Sequence, residues 1–363
     1  MKTSPTPTLA AVLAAVLSAT SLQALDPIAP IVRLLPPEEG AIALPPELRT
    51  SLEARVAALS EQVHKIEQDP HAADAAVLVK AVDFALRNVE FYSDKEFPRA
   101  GTMLDLADER LRVLDKKGQR PWLKQHGLVV RGYRSQIDQS YQPYGLEIPE
   151  SLDLSRPAPL LVWLRGRGDK ATDLHFLEQC RTRSQAFGGF YKDQTEAIVL
   201  HPFGRHCVGW KHAGEIDVFE AIEAAMADYS IDPDRIILAG FSMGGAGAWH
   251  IGVHYRDRFC GVHTGAGFAE TKEYNGLTPD KYPPDYEQTL WKVYDVPNYV
   301  GNFLNGPLLA YSGEKDKQKA TADLMARELL KVGHEMRHIV APDTEHKYTA
   351  EAVAEIREWL SET

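Results

Sequence analysis

Apolar residues recur at helical spacing through the first part of the chain and as short β-rich runs through the rest. From Leu48 to about Gly118, Leu52, Val56, Leu59, Val63 and Ile66 fall three or four residues apart, and Val77, Val79, Val82, Leu86 and Val89 follow a similar stripe. Leu104 to Leu114 makes a third helical segment. These stripes predict a small helical layer that buries one face against the following domain, with a structural or regulatory role. Past Leu128 the period changes. Val129 to Tyr133 and Pro143 to Ile148 read as an opening pair of strands, followed by apolar runs at Leu160 to Leu164, Ala197 to Leu200, Ile236 to Ala239, Gly261 to Thr264 and Leu308 to Tyr311. Amphipathic segments at Asp173 to Gln185, Glu215 to Tyr229, Ala246 to His254 and Ala320 to Val332 separate most of them. A last strand near Met336 to Val340 and a closing helix from Thr349 to Leu360 complete the series. Such alternation predicts an α/β architecture, a mostly parallel central sheet with helices on both faces.

The N-terminus stands apart from this pattern. Lys2, the apolar run Leu9 to Leu17 and the small residues up to Ala24 make a secretory signal too short to span a bilayer, with cleavage expected after Ala24. The domain plan is therefore a signal peptide at 1–24, a Pro-rich linker at 25–47, a helical region at 48–125 and a catalytic domain at 126–363 with a cap insertion at about 269–305. The expected location is outside the cytoplasm, in the periplasm or medium. A formal net charge of −11 argues against a nucleic-acid partner, since phosphate backbones are held by clusters of Lys and Arg. Three cysteines, Cys180, Cys207 and Cys260, allow at most one disulfide, and their spacing matches no metal site.

The chemistry centres on Ile236 to Trp249, in which Gly240, Phe241, Ser242, Met243 and Gly244 spell G-x-S-x-G directly after an apolar strand and at the opening of a helix. That context is a nucleophile elbow, and it makes Ser242 the candidate nucleophile. A serine hydroxyl needs a base within hydrogen-bond reach and a group that orients the base. Past the strand Leu308 to Tyr311, Asp316 is the preferred acid and Glu314 the alternate. His346, in the polar loop before the closing helix and 30 residues beyond Asp316, is the expected base. The oxyanion is expected to meet the backbone N–H of Met243 and that of Arg167, in the loop Arg165 to Asp169 after the Leu160 to Leu164 strand, with Gly166 allowing close approach.

These residues resemble secreted bacterial α/β-hydrolases grouped with the prolyl-oligopeptidase catalytic domain and with dienelactone-hydrolase-like and polyester-depolymerase-like esterases. The resemblance runs from about Gly132 to the C-terminus and is carried by Gln142, Pro143 and Tyr144, the turn at Gly166, the elbow, Gly313 to Asp316, and His346. It implies the α/β-hydrolase fold, the triad Ser242, Asp316 and His346, and Met243 as an oxyanion donor. The sequence departs from that pattern at Arg165, where many relatives carry His before the glycine.

The aromatic, proline-rich stretch from Ala269 to Asn305 is long for a connection and is read in part as a cap, with Tyr274, Tyr282, Tyr286, Trp291 and Tyr294 available for stacking. His263 is a further candidate for lining the cleft, and Arg165, Arg205 and Trp210 are candidates for binding substrate. The leading reading is a serine hydrolase needing no cofactor and no metal, acting on a small-molecule ester, a carbohydrate ester or a short peptide. A prolyl-oligopeptidase-like peptidase and a non-catalytic binding protein on the same fold are the alternatives. Metal-dependent hydrolysis through His201, His206 and His212 is the weakest, because their spacing matches no ligand motif.

Overall fold

In a computed structural model, which describes residues 39–114, 120–168, 170–184, 186 and 196–363, eight strands form one sheet in the order β1-β2-β4-β3-β5-β6-β7-β8. β1 (Gly127–Arg134) and β2 (Tyr141–Ile148) pair antiparallel, and β2 lies antiparallel to β4 (Ile198–Pro202). The other neighbours are parallel: β4 with β3 (Ala158–Leu164), β3 with β5 (Ile231–Phe241), then β6 (Gly261–Gly265), β7 (Leu308–Gly313) and β8 (Arg337–Ala341). This is the α/β-hydrolase arrangement. The central strands read as continuous apolar runs because helices cover both of their faces.

Those helices are α4 (Asp173–Thr182), α5 (Ala213–Asp228), α6 (Met243–His254), α8 (Lys319–Lys331) and α9 (Ala350–Glu362), with α7 (Asp285–Trp291) a short helix between β6 and β7. One apolar cluster joins Leu160, Leu200, Leu238 and Val262 to residues of α4, α5 and α6. A smaller one on the opposite face joins Leu161, Ile237 and Leu309 to Ile356 and Trp359 of α9. Short parallel strands put every βα loop on one edge of the sheet, where a strand can pass a residue straight into a helix.

The predicted helical layer forms as α1 (Pro46–Lys65), α2 (Ala72–Asn88) and α3 (Phe97–Leu114). Residues 37–363 form one compact unit, so position 125 does not divide two cores. Leu52, Val56, Leu78 and Met103 belong to the same apolar cluster as the sheet. α2 lies directly on β1: a Cβ at Gly132 would stand 2.3 Å from the carbonyl oxygen of Ala73. The contact is polar as well as apolar, which the helical pattern did not reveal. Asp74, fully buried on α2, accepts from Arg131 Nε at 2.8 Å, Gly132 N–H at 2.9 Å and Trp122 Nε1 at 2.8 Å. Arg131 also reaches Asp228 at 2.6 Å, and Arg110 donates to the carbonyls of Asp74 and Val130 at 2.7 Å each.

The expected signal peptide and most of the Pro-rich linker lie outside the described residues. No disulfide joins the three cysteines. Among the described residues no helix is long and apolar enough to cross a membrane.

Candidate active site

β5 delivers Phe241 and Ser242 to the C-terminal edge of the sheet, and α6 starts at the next residue. Ser242 takes φ 59° and ψ −119°, a conformation that costs a non-glycine residue about 1–3 kcal/mol and persists where the surroundings enforce it. The surroundings here are backbone. A Cβ at Gly244 would stand 1.8 Å from the carbonyl oxygen of Leu164, and one at Gly240 would stand 2.3 Å from that of Gly244. Ser242 N–H donates to Gly265 O at 2.8 Å, which ties the elbow to β6.

His346 Nε2 lies 2.8 Å from Ser242 Oγ, and its Nδ1 lies 2.7 Å from Asp316 Oδ2. The loops after β7 and β8 are laced together to make this meeting. Glu314 N–H donates to Ala341 O and Lys315 N–H to Thr344 O, each at 2.9 Å. Asp316 is buried, and its other oxygen accepts Gln318 N–H at 2.9 Å. Glu314, the alternate acid, is exposed and accepts Asp343 N–H at 2.8 Å, bracing the same loop from outside. The His346 side chain is 41% exposed, so substrate can reach it from solvent.

A carboxylate on Nδ1 fixes the proton there and leaves Nε2 to accept from the serine hydroxyl. Met243 is the first residue of α6, and the leading N–H groups of a helix have no partner inside it, which suits an oxyanion at that end. Gly166 lies beside the elbow, where an added Cβ would stand 3.5 Å from Ser242 Cβ. Arg167 is exposed in the loop next to it. Cys207 holds that loop: its thiol donates to Gly168 O at 3.1 Å and its sulfur receives Gly168 N–H at 3.3 Å.

Three expected substrate-binding side chains do not reach the cleft. The guanidinium of Arg165 is buried between the rings of Phe176 and Phe203, 5.5 and 5.2 Å from their centroids, and donates to Phe203 O at 3.1 Å. Burial pulls its pKa below the usual arginine value. Arg205 turns to the β1–β2 connection, where it pairs with Asp138 at 2.8 Å and Ser135 at 2.7 Å, and its hydrogen bond holds the Asp138 carboxyl well below the usual range. Trp210 is 1% exposed; its Nε1 donates to Arg165 O at 3.1 Å, and its ring fills the space left by Gly204 and Gly247. All three support the loops around the elbow rather than line a substrate path.

His263 is also away from the cleft. It is wholly buried, with Nδ1 3.1 Å from Leu309 O and Nε2 2.8 Å from the Tyr348 hydroxyl. The insertion from Ala269 to Asn305, read in part as a cap, packs against α6 through its second half. Val296, Val300 and Phe303 are buried in its second half, and Phe303 meets Trp249 of α6 edge-on at 5.6 Å, so this half buttresses α6. Of its aromatics, Tyr274 stacks on Phe268, Tyr294 meets His212, Tyr282 and Trp291 flank Lys272, and Tyr286 is exposed. His201, His206 and His212 go to separate partners, Glu147, Ala171 O and Tyr294.

Residues 208–363 match the prolyl oligopeptidase family. Among solved structures, a Bacteroides ovatus protein described as a dipeptidyl aminopeptidase IV is similar at 14% identity and a TM-score of 0.51, over 65% of this chain and 36% of its own. Porphyromonas gingivalis dipeptidyl peptidase 4 is similar at 15% identity and 0.51, over 66% of this chain and 36% of its own. This chain thus spans about a third of the length of those proteins, and the likeness is one of fold. No curated protein matches it in sequence. The chain has the α/β-hydrolase fold, and its residues 208–363 match the prolyl oligopeptidase family.

Proposed function

We propose that this protein is an exported serine hydrolase that cleaves carboxylic esters through an acyl-enzyme on Ser242. The observation that carries the reading is the unbroken hydrogen-bond chain from Ser242 Oγ through His346 to Asp316, at 2.8 and 2.7 Å. In the first half-reaction Ser242 Oγ attacks the ester carbonyl carbon while its proton passes to His346 Nε2. The tetrahedral oxyanion is held by the N–H of Met243 and by that of Arg167, with Gly166 giving the loop its close approach. Such donors contribute about 3 kcal/mol each to the transition state. Collapse breaks the carbon–oxygen bond to the alcohol, which leaves with the proton from His346. Water then repeats the attack, giving its proton to His346, and the acid departs as Ser242 regains its hydrogen. Asp316 stays ionised and holds the ring throughout. The signal-like segment ending at Ala24 supports export.

A second reading, cleavage of short peptides by the same residues, is favoured by the family match over residues 208–363. Hydrolysis of a short-chain aryl ester beside a prolyl anilide, with fluorophosphonate labelling of wild type and Ser242→Ala, tests both. Ester turnover and labelling that vanish together in the variant are expected. Turnover of the anilide alone would favour the peptidase, and a wild type that neither hydrolyses nor labels would overturn the covalent mechanism.

A further inference from the structure

Beside the elbow lies a cavity of about 180 Å³. It shares Ala246 with α6, and Ala246 N–H donates to Ser242 O, so the cavity begins one helical turn from the nucleophile. Its other walls come from the loop after β4 (Lys211), from α6 (His250) and from the insertion after β6 (Phe268, Tyr274, Tyr294, Asp295). The loop after β4 and the insertion after β6 both leave the sheet at the edge that carries Ser242.

The polar groups divide into those already engaged and those with capacity left. Glu270 accepts the N–H groups of Lys272, Glu273 and Tyr274, which occupies both oxygens. Asp295 Oδ1 accepts the Thr271 hydroxyl at 2.7 Å. Lys211, half-buried, sits 4.5 Å from the centroid of the Tyr294 ring and uses none of its three N–H donors on a hydrogen bond among the described residues. His250 is 4% exposed; its Nε2 lies 2.6 Å from Glu215, which holds the proton there, and its buried Nδ1 has no hydrogen-bond partner among the described residues. The cavity thus offers unused donors on Lys211, in walls that also carry the stacked pair Phe268 and Tyr274, 4.1 Å apart.

Charge decides what such a cavity accepts. Glu270 and Asp295 oppose an anion and Lys211 opposes a cation. Burial lowers the Lys211 pKa and raises that of Asp295, so the site already disfavours charge. A hydroxyl both donates and accepts, and it is neutral. A sugar ring adds an apolar face for the aromatic walls. We propose that this cavity is a subsite for a polyhydroxylated, sugar-like part of the ester, recognised by the donors of Lys211 and by the aromatic wall of Phe268 and Tyr274. This rests on the hydrolase reading above and narrows its substrate class.

The test compares kcat/KM within two matched pairs: a mono-acetylated methyl hexoside against ethyl acetate, and methyl gluconate against methyl hexanoate. The first pair places hydroxyls on the alcohol side and the second on the acyl side. The wild type is expected to prefer the hydroxylated member at least tenfold in one pair. Lys211→Met and Tyr274→Ala, which removes part of the stacking wall, are each expected to raise KM for that ester at least fivefold and to shrink the preference. Thermal melts establish that both variants fold. No preference in either pair, or a preference unchanged in both variants, overturns the subsite and leaves the hydrolase standing. Absence of turnover together with absence of fluorophosphonate labelling overturns the hydrolase reading itself and the subsite with it.

Discussion

His263 Nε2 and the hydroxyl of Tyr348 lie 2.8 Å apart beneath the active site. The Leu309 carbonyl can only accept, so His263 carries its proton on Nδ1 and its Nε2 accepts a hydrogen bond from the Tyr348 hydroxyl. Tyr348 stands two residues beyond His346, and its ring meets those of Phe241 and Tyr311, each at 4.6 Å. It is a positioning residue for the loop that carries the base. Tyr348→Phe keeps the ring and removes the bond; it is expected to lower kcat several-fold with little change in KM and to cost about 1 kcal/mol of stability. Steady-state kinetics and urea unfolding of the pair check this.

Burial pulls the pKa of His263 down to about 4. The unfolded chain, with histidine near 6.5, binds that proton first, so the contribution to stability is full above about pH 6.5 and is lost as the pH falls toward 4. Between pH 7 and pH 5 the loss is about 2 kcal/mol. His263→Gln does not titrate and is expected to lack this part of the acid sensitivity. Urea midpoints of both proteins at the two pH values measure the difference, and parallel behaviour would contradict the burial argument.

Asp316→Asn keeps the size of the side chain and removes the charge that fixes the His346 proton on Nδ1. The amide can donate to that nitrogen and so favour the opposite tautomer. A fall in kcat on the order of 10³ to 10⁴ is expected, with KM for an aryl ester nearly unchanged. Glu314→Gln, at the exposed brace, is expected to change kcat less than threefold.

Asp74 is the counter-charge for Arg131 in a contact that leaves the two side chains 0% and 1% exposed. Asp74→Ala takes the buried counter-charge from the Arg131 guanidinium, which keeps Asp228 and the Tyr229 hydroxyl, and leaves Trp122 Nε1 and Gly132 N–H without their acceptor. A loss of about 3–5 kcal/mol is expected, read as a fall in the denaturant midpoint with activity lost in step with folding. Independent melting of the helical layer and the sheet would contradict a shared core.

Much of the molecule was legible because its signals are local. A strand buried on both faces must be an apolar run, and a turn that passes within van der Waals contact of Leu164 and Gly265 admits only glycine at 244 and 245. Ser242, Asp316 and His346 were found by their places after β5, β7 and β8, which chain order alone specifies. The side chains misjudged were those whose direction depends on distant neighbours. Arg165 and Arg205 are long and flexible, and nothing near them in the chain announces Phe176, Phe203 or Asp138. Nothing in the chain singles out Asp74, and His263, read as a candidate for lining the cleft, is instead closed over by Leu309 and by Tyr348 from the loop after β8.

By itself, the chain's pattern of apolar and polar residues determined the order of strands and helices, the strand-to-helix turn that exposes Ser242, and the polar loops that carry Asp316 and His346. Those features depend on hydrogen bonding, sterics and burial within a few residues of each other. Tertiary structure alone decided which carboxylate meets His346, where each arginine spends its charge, that the insertion braces α6, and that Lys211 and His250 share a cavity. Hydrogen bonds and desolvation act over a few ångströms of space, and residues 39 or more positions apart, as Lys211 and His250 are, come that close only when the sheet has folded.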